Sequence, residues 1–263
     1  MVSKNQTDNI MKHYPKITVL TVNCNKGKYI EATIRSVIDQ DYPNLEYIMI
    51  DGKSTDNSMD IIEKYKAQFA YWVSEPDRGM TDALIKGFNR ASGEILCWLN
   101  SDDCFEKDAL FKVADIYNKT HFDFLYGSSY YINETGIKYR KLRSHKTCYK
   151  AQAYGAVTLF QPSCFWSKRI YDKIGGLNPN FQVTMDGDLF TRILREPTAK
   201  LIRTPLFLSQ FRIHSEQSGS WAPHGRYEYE RKLLRDEHTS GSKVEQNFYK
   251  YIYRSISTVM SFL

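Results

Sequence analysis

Apolar positions in the first hundred residues alternate between two spacings. Short β-rich runs at 17–22, 45–50, 71–74 and 94–99 are separated by stretches at 28–40, 56–66 and 80–90 in which apolar residues recur every three or four positions. In 28–40 the stripe is Ile30, Ile34, Val37 and Ile38, one face of a helix. Each of these strands is followed by a polar turn, and the most pointed is the last: EILCWL at 94–99 runs straight into Asn100, Ser101, Asp102 and Asp103. Strand and helix in strict alternation predict a parallel, doubly wound α/β sheet, with ligands bound at the carboxyl ends of the strands.

Beyond Cys104 the pattern loosens. A helix is expected at 109–118, two short strands at 124–127 and 130–133, and an extended basic segment at 137–150 holding Lys138, Arg140, Lys141, Arg143, Lys146 and Lys150 with no acid. That segment reads either as a solvated charge run or as a flexible cationic arm facing a phosphorylated acceptor or lipid. A strand at 160–166, a short helix to 174 and a Gly-rich turn at 175–180 follow, then Asp186 and Asp188 ahead of a helix at 189–194. β-rich runs surround Pro205 within 201–213, and a Gly/Ser-rich loop occupies 214–220. A charged helix at 227–237 and an amphipathic one from 244 onward close the chain; the latter packs on the main body or a partner, or lies in a membrane interface.

Composition narrows the classes. At 263 residues, with 42% hydrophobic and 25% charged positions, the chain reads as globular and is long enough for one full α/β domain or a domain with a C-terminal appendage. A net charge of +6 suits nucleotides, pyrophosphates or an acidic membrane face and falls short of a nucleic-acid binder. The five cysteines show no C-x-x-C spacing, which argues against a zinc site or disulfide framework and for a reducing cytoplasm. No apolar run approaches the roughly 20 residues of a membrane span, so membrane contact is expected to be peripheral.

Adjacent aspartates after a buried strand offer hard oxygens to a divalent cation such as Mg²⁺ or Mn²⁺, or else cap the next helix. Asp51 ends a neighbouring strand, and Asp186 sits before a later helix. Four blocks carry more than any one of them: ITVLTVNCNKGKYIEATIRSVIDQDYPNLEYIMIDGKSTDNS, SEPDRGMTDALIKGFNRASGEI, LNSDD and FQPSCFWSKRIYDKIGGLNPNFQVTMDGDLFTRIL. In this order and at these separations the chain resembles glycosyltransferase family 2, the inverting nucleotide-sugar transferases, over roughly residues 16–220.

The resemblance implies a GT-A type, Rossmann-like, mostly parallel sheet. It divides the chain into a flexible N-terminus (1–15), a nucleotide-binding half (16–104), an acceptor half (105–222) and a C-terminal helical extension (223–263). It implies that Thr21, Asn23 and Asp51 form the base pocket and that Arg78, Asp82 and Lys86 line the diphosphate and donor sugar. Ser101 and Asp102 would approach the nucleotide, with Asp102 at the ribose or reaching the metal through water. Asp103 would ligate Mn²⁺ or Mg²⁺, joined by His214, which with Ser218 lies in a loop that closes over the nucleotide. Asp186 matches the catalytic base, with Asp188 as the alternative. Val22, Ile85 and Met185 depart from the residues commonly found at those places. The implied reaction moves a sugar from a nucleoside-diphosphate sugar to a hydroxyl of a glycan or lipid-linked saccharide at the inner face of the cell membrane, without nucleic acid. A catalytically silent nucleotide-sugar-binding scaffold is the other reading, and the absence of G-x-G-x-x-G after the first strand argues against a dinucleotide enzyme.

Overall fold

β1 (Ile17–Asn23), β2 (Leu45–Asp51), β3 (Tyr71–Ser74) and β4 (Ile95–Trp98) lie side by side in the order β3-β2-β1-β4, all parallel. The helices between them are α1 (Ile30–Ile38), α2 (Ser58–Lys64) and α3 (Met80–Phe88). β1 is buried at every residue because both faces of the sheet are covered, which is why its sequence lacks a polar-out alternation. Alternate side chains enter two cores. Leu20, Val22, Ile48, Ile50, Leu96 and Trp98 face Leu84 and Phe88 of α3, whereas Ile17, Val19, Tyr47, Met49, Ile95 and Cys97 face Ile30, Ile34 and Val37 of α1. The computed structural model describes residues 13–215, 225–240 and 242–260.

The second half extends the same sheet through β5 (Cys104–Phe105), α4 (Ala109–Thr120), β6 (Phe124–Ile132), β7 (Lys138–Leu142), α5 (Tyr149–Ala153), β8 (Cys164–Ser167), α6 (Lys168–Lys173), α7 (Met185–Arg195) and β9 (Leu201–Arg212). The order continues β4-β8-β6-β9-β5, with β7 on β6, in one nine-stranded sheet. β1, β2, β3, β4, β6 and β9 share one direction, and β5, β7 and β8 oppose it.

Several elements differ from the sequence expectation, each for a local reason. The two short strands at 124–127 and 130–133 are the single strand β6, whose register against β9 shifts around Ser128. Gly127 marks the irregularity: a Cβ there would stand 2.7 Å from Leu208 Cδ1 and 3.0 Å from the Leu206 carbonyl oxygen. The basic segment is no free arm over Lys138–Leu142, where it pairs with β6 as β7 and exposes Lys138, Tyr139, Arg140 and Lys141. The strand expected at 160–166 begins with a 3₁₀ turn, Gln161–Ser163, because Pro162 withholds an N–H from the ladder. Residues 13–15 of the expected flexible terminus are tied down: Tyr14 meets Tyr42 and Phe111 edge-on, and Asn118 donates to the His13 carbonyl at 2.8 Å.

Two helices end the described chain, α8 (Arg226–His238) and α9 (Lys243–Met260). α8 is anchored by Glu230, a buried carboxylate that accepts from the backbone N–H groups of Gln182, Val183 and Thr184 at 2.8, 2.9 and 2.9 Å. These donors lie just ahead of α7, so α8 fixes the entry to that helix. α9 reaches the body through Tyr249 and Tyr253, whose rings lie 5.5 and 5.9 Å from that of Tyr154. Among the described residues no helix is long and apolar enough to cross a membrane.

Candidate active site

Asn23, Asp51 and Ser74 are register partners at the carboxyl ends of β1, β2 and β3. Asp51 is fully buried, and four donors occupy its carboxylate: Asn23 Nδ2 at 2.7 Å and Ser54 Oγ at 2.6 Å on Oδ1, Ser54 N at 2.9 Å and Ser74 Oγ at 2.6 Å on Oδ2. A carboxylate only accepts, so the Asn23 amide must turn its NH₂ toward Asp51 and its Oδ1 away. That Oδ1 is buried and has no hydrogen-bond partner. Thr21 faces the other core and bonds the Tyr47 hydroxyl at 3.1 Å.

A cavity of about 530 Å³ opens above these strand ends. Asn23, Asp77, Asn100, Ser101, Asp102 and Ser215 line it, with the N-terminus of α3 at Gly79 and Met80. The free N–H groups of that helix end and its dipole favour an anion. Gly79 holds φ +112°, a backbone region that other residues rarely adopt, and it starts α3 at the cavity wall. Asp51 and Thr21 stand behind this wall, whereas Asn23 forms part of it.

The acid pair is held from several sides. Thr33 Oγ1 on α1 donates to the Asp103 carbonyl at 2.7 Å, and the Arg212 backbone N–H donates to Asp103 Oδ1 at 2.8 Å. Arg212 also sends Nε to the Asp102 carbonyl at 2.7 Å and Nη1 to the carbonyls of Asn133 and Glu134, both at 3.0 Å. His214 Nε2 lies 3.0 Å from Asp102 Oδ2, and the imidazole packs on Tyr29 with ring centroids 4.6 Å apart. Asp102 is therefore the wall residue and Asp103 the inner one. Burial, and then the Asp102 charge, push the Asp103 carboxyl well above the usual range against the pull of Arg212. Its Oδ2 is buried with no hydrogen-bond partner, and a cation there would both satisfy it and favour the ionised carboxylate that burial opposes. Two carboxylates with an imidazole beside them suit Mn²⁺ or Mg²⁺ in donor chemistry.

The remaining expected residues fall elsewhere. Arg78 Nη2 reaches Asp82 Oδ1 at 2.8 Å, and Lys86 Nζ lies 2.9 Å from Glu75 and 3.5 Å from Asp82, an ion-pair chain on the outer side of α3. None of these lines the cavity, although their neighbours Asp77, Gly79, Met80 and Ala83 do. Asp186 and Asp188 occupy the first turn of α7 and point apart. Asp186 is half-buried, accepts from the Gly187 N–H at 2.7 Å and has its pKa raised by burial. Asp188 is fully buried and held by Arg192, with Nε at 2.9 Å and Nη2 at 2.5 Å from Oδ2; burial raises its pKa while Arg192 lowers it. Neither acid lines the cavity. Ser218 lies outside the described residues.

Sequence reasoning missed Asp77, Asn100, Arg212 and Glu230. Asp77 was legible in principle, since it begins the turn before a glycine-started helix; Arg212 was not, because its partners lie 78 to 110 positions earlier in the chain.

Comparison with known proteins places this geometry in a lineage. Residues 18–201 match the family described as Glycosyl transferase family 2. The putative teichuronic acid biosynthesis glycosyltransferase TuaG of Bacillus subtilis is 37% identical over 101 residues, 37% of this chain and 40% of that protein. An uncharacterized glycosyltransferase of Mycobacterium tuberculosis is 38% identical over 96 residues, 36% of this chain and 37% of that one. These matched stretches span less than half of either relative. Among solved structures, Staphylococcus aureus TarS 1-349 in complex with UDP-GlcNAc superposes with a TM-score of 0.68 at 18% identity, over 90% of this chain and 71% of that one. The mannosyltransferase PcManGT from Pyrobaculum calidifontis, in complex with GDP-Man and Mn²⁺, gives 0.58 at 17% identity over 91% and 65%. The likeness in fold covers 90% of this chain, and with the match across residues 18–201 the conclusion is plain: the chain belongs to glycosyl transferase family 2.

Proposed function

We propose that this protein is a metal-dependent inverting glycosyltransferase that moves a sugar from a nucleoside-diphosphate sugar to a hydroxyl of a saccharide or lipid-linked saccharide. The observation that carries the reading is the cavity at the ends of β1 and β4. One side is Asn23, whose Oδ1 has no hydrogen-bond partner, another the α3 N-terminus, and the third Ser101 and Asp102 with Asp103 behind them.

In this reading Asn23 Oδ1 accepts the ring N–H of a uracil, thymine or guanine base, and Asp51 holds the amide in place. The α3 N-terminus and Ser101 receive the diphosphate. Asp102, Asp103 and His214 would hold Mn²⁺ or Mg²⁺, which when bound neutralises charge developing on the departing nucleoside diphosphate. Asp186 accepts the proton of the acceptor hydroxyl as that oxygen attacks the anomeric carbon from the face opposite the leaving group. Burial raises the proton affinity of Asp186, as a general base requires. Asp188 is the poorer choice because Arg192 occupies it.

Support for the donor class comes from the UDP-GlcNAc and GDP-Man complexes of TarS and PcManGT. The teichuronic acid role in the name of TuaG favours a cell-envelope polysaccharide acceptor. Peripheral contact with the inner face of the membrane would fall to α9, which exposes Val244, Phe248 and Tyr251 beside Lys250. Calorimetry with UDP, GDP and dTDP, with and without Mn²⁺, tests the proposal. Metal-dependent binding of one nucleotide, followed by turnover of its sugar conjugate, is expected. Binding without any turnover would leave a nucleotide-sugar scaffold in its place.

A further inference from the structure

A second group of ligating side chains lies between α7 and α8, apart from the acid pair. One ligand atom from each of Asp188, Glu237 and His238 falls within 4.8 Å of the other two. Proximity of acids alone would mean little, but two atoms here are buried without any hydrogen-bond partner: Asp188 Oδ1 and His238 Nε2. Asp188 is fully buried. Leaving such groups unsatisfied is unfavourable in a protein interior.

The protonation of His238 can be read from its neighbour. The Tyr149 hydroxyl lies 3.1 Å from His238 Nδ1 and donates to the His238 carbonyl oxygen at 3.3 Å. A carbonyl only accepts and a hydroxyl has one proton, so both contacts are satisfied together in one way. Tyr149 gives its proton to the carbonyl and accepts from Nδ1–H. Nε2 is then a bare lone pair. The group thus presents a lone pair, a carboxylate oxygen with no donor and a second carboxylate, on three residues whose ligand atoms lie within 4.8 Å of one another. The nearby guanidiniums leave Asp188 Oδ1 and His238 Nε2 without a donor. Arg192 commits Nε and Nη2 to Asp188 Oδ2 and Nη1 to the Ile174 carbonyl, and Arg195 lies over the Tyr149 ring at 5.9 Å.

We propose that Asp188, Glu237 and His238 form a zinc-class divalent cation site that staples α8 to α7, with Tyr149 orienting the imidazole from behind. Asp188 is already paired with Arg192, so Glu237 supplies the uncompensated negative charge and the imidazole the strong ligand. The two guanidiniums oppose cations attracted by charge alone, so the site favours Zn²⁺, which binds imidazole strongly, over Mg²⁺ or Ca²⁺. Leu234, one turn earlier on α8, already packs near Gly187 of α7, so the two helices are held at the required separation without the ion.

The test uses the full chain carrying Asp103→Asn, which weakens the other metal site, stripped with EDTA and titrated with Zn²⁺ in a calorimeter. Co²⁺ absorption serves as a second readout. One equivalent of Zn²⁺ is expected, lost in His238→Ala and weakened at least about ten-fold in Glu237→Gln, whose exposed position leaves folding intact. Tyr149→Phe should weaken binding about 10- to 100-fold by releasing the ring orientation. Absence of the equivalent, or its persistence unchanged in both His238→Ala and Glu237→Gln, overturns the proposal. Neither result bears on the glycosyltransferase reading, which stands on the separate cavity.

Discussion

Asn23 donates its amide to Asp51 at 2.7 Å, and this single bond decides which of the two residues a ligand can meet. Asp51 has its accepting positions filled by its own chain, whereas Asn23 lines the cavity and its Oδ1 has no hydrogen-bond partner. Asn23→Ser should therefore weaken UDP binding roughly ten-fold, the loss of one hydrogen bond of about 1.4 kcal/mol, while inorganic pyrophosphate binds as before. Asp51→Asn should weaken UDP at least as much by letting the Asn23 amide rotate. Calorimetry on both variants checks this; equal loss for pyrophosphate would remove Asn23 from the base site.

The two acids of α7 are expected to separate in kind. Asp186→Asn should lower kcat by about 10²- to 10⁴-fold with the donor Kd unchanged, as loss of a general base does. Asp188→Asn should instead lower stability by about 2–4 kcal/mol, because it leaves the mostly buried Arg192 without its partner. Denaturant unfolding together with steady-state kinetics reads both. A variant of Asp188 with native stability and no turnover would exchange the roles.

Acid sensitivity should concentrate at the start of β2. Burial raises the Glu46 pKa, but the Lys16 ammonium and the Ser92 and Thr18 donors outweigh it and bring the pKa down to about 2. A carboxyl lowered in the folded state adds stability above its unfolded value near 4.5, and that stability is lost as pH falls toward 2. With the discount for partial exposure of Lys16, the contribution is about 1–2 kcal/mol. Glu46→Gln should be less stable at neutral pH and lose less between pH 5 and about 2 in denaturant titrations.

Gly87 sets the distance between α3 and the sheet. A Cβ there would lie 2.4 Å from Leu20 Cδ1 and 2.7 Å from Cδ2, and Leu20 is wholly buried. Alanine gains about 1 kcal/mol of helix propensity, but overpacking costs about 1–3 kcal/mol. Gly87→Ala should be destabilising by thermal melt, and Leu20→Val should partly rescue it.

The parallel half of the fold was legible because its code is local. The run Tyr71–Ser74 was placed to the residue, and Ile30, Ile34 and Val37 lie on the buried face as their spacing requires. The strand-end reading put Asp102 near a ligand crevice and the family resemblance added Asn23 and Ser101, and all three line the cavity. It could not see that Asp51 is saturated or that Arg78, Asp82 and Lys86 pair with one another and with Glu75, because hydrogen-bond partners are chosen by packing. Nor could it place Arg212 or Glu230, whose partners sit far away in the chain.

Arg212 has a further consequence for how the chain can be divided. From the end of β9 it fastens Asp102 and Asp103, the turn at Asn133 and Glu134, and the ring of Tyr29 at 5.1 Å. The border that sequence puts near residue 104 is thus bridged by one side chain and by the β5–β9 pairing beside it. Two fragments split there would each lack half of the acid loop's support, so neither should fold alone, and the intact chain should melt in a single transition.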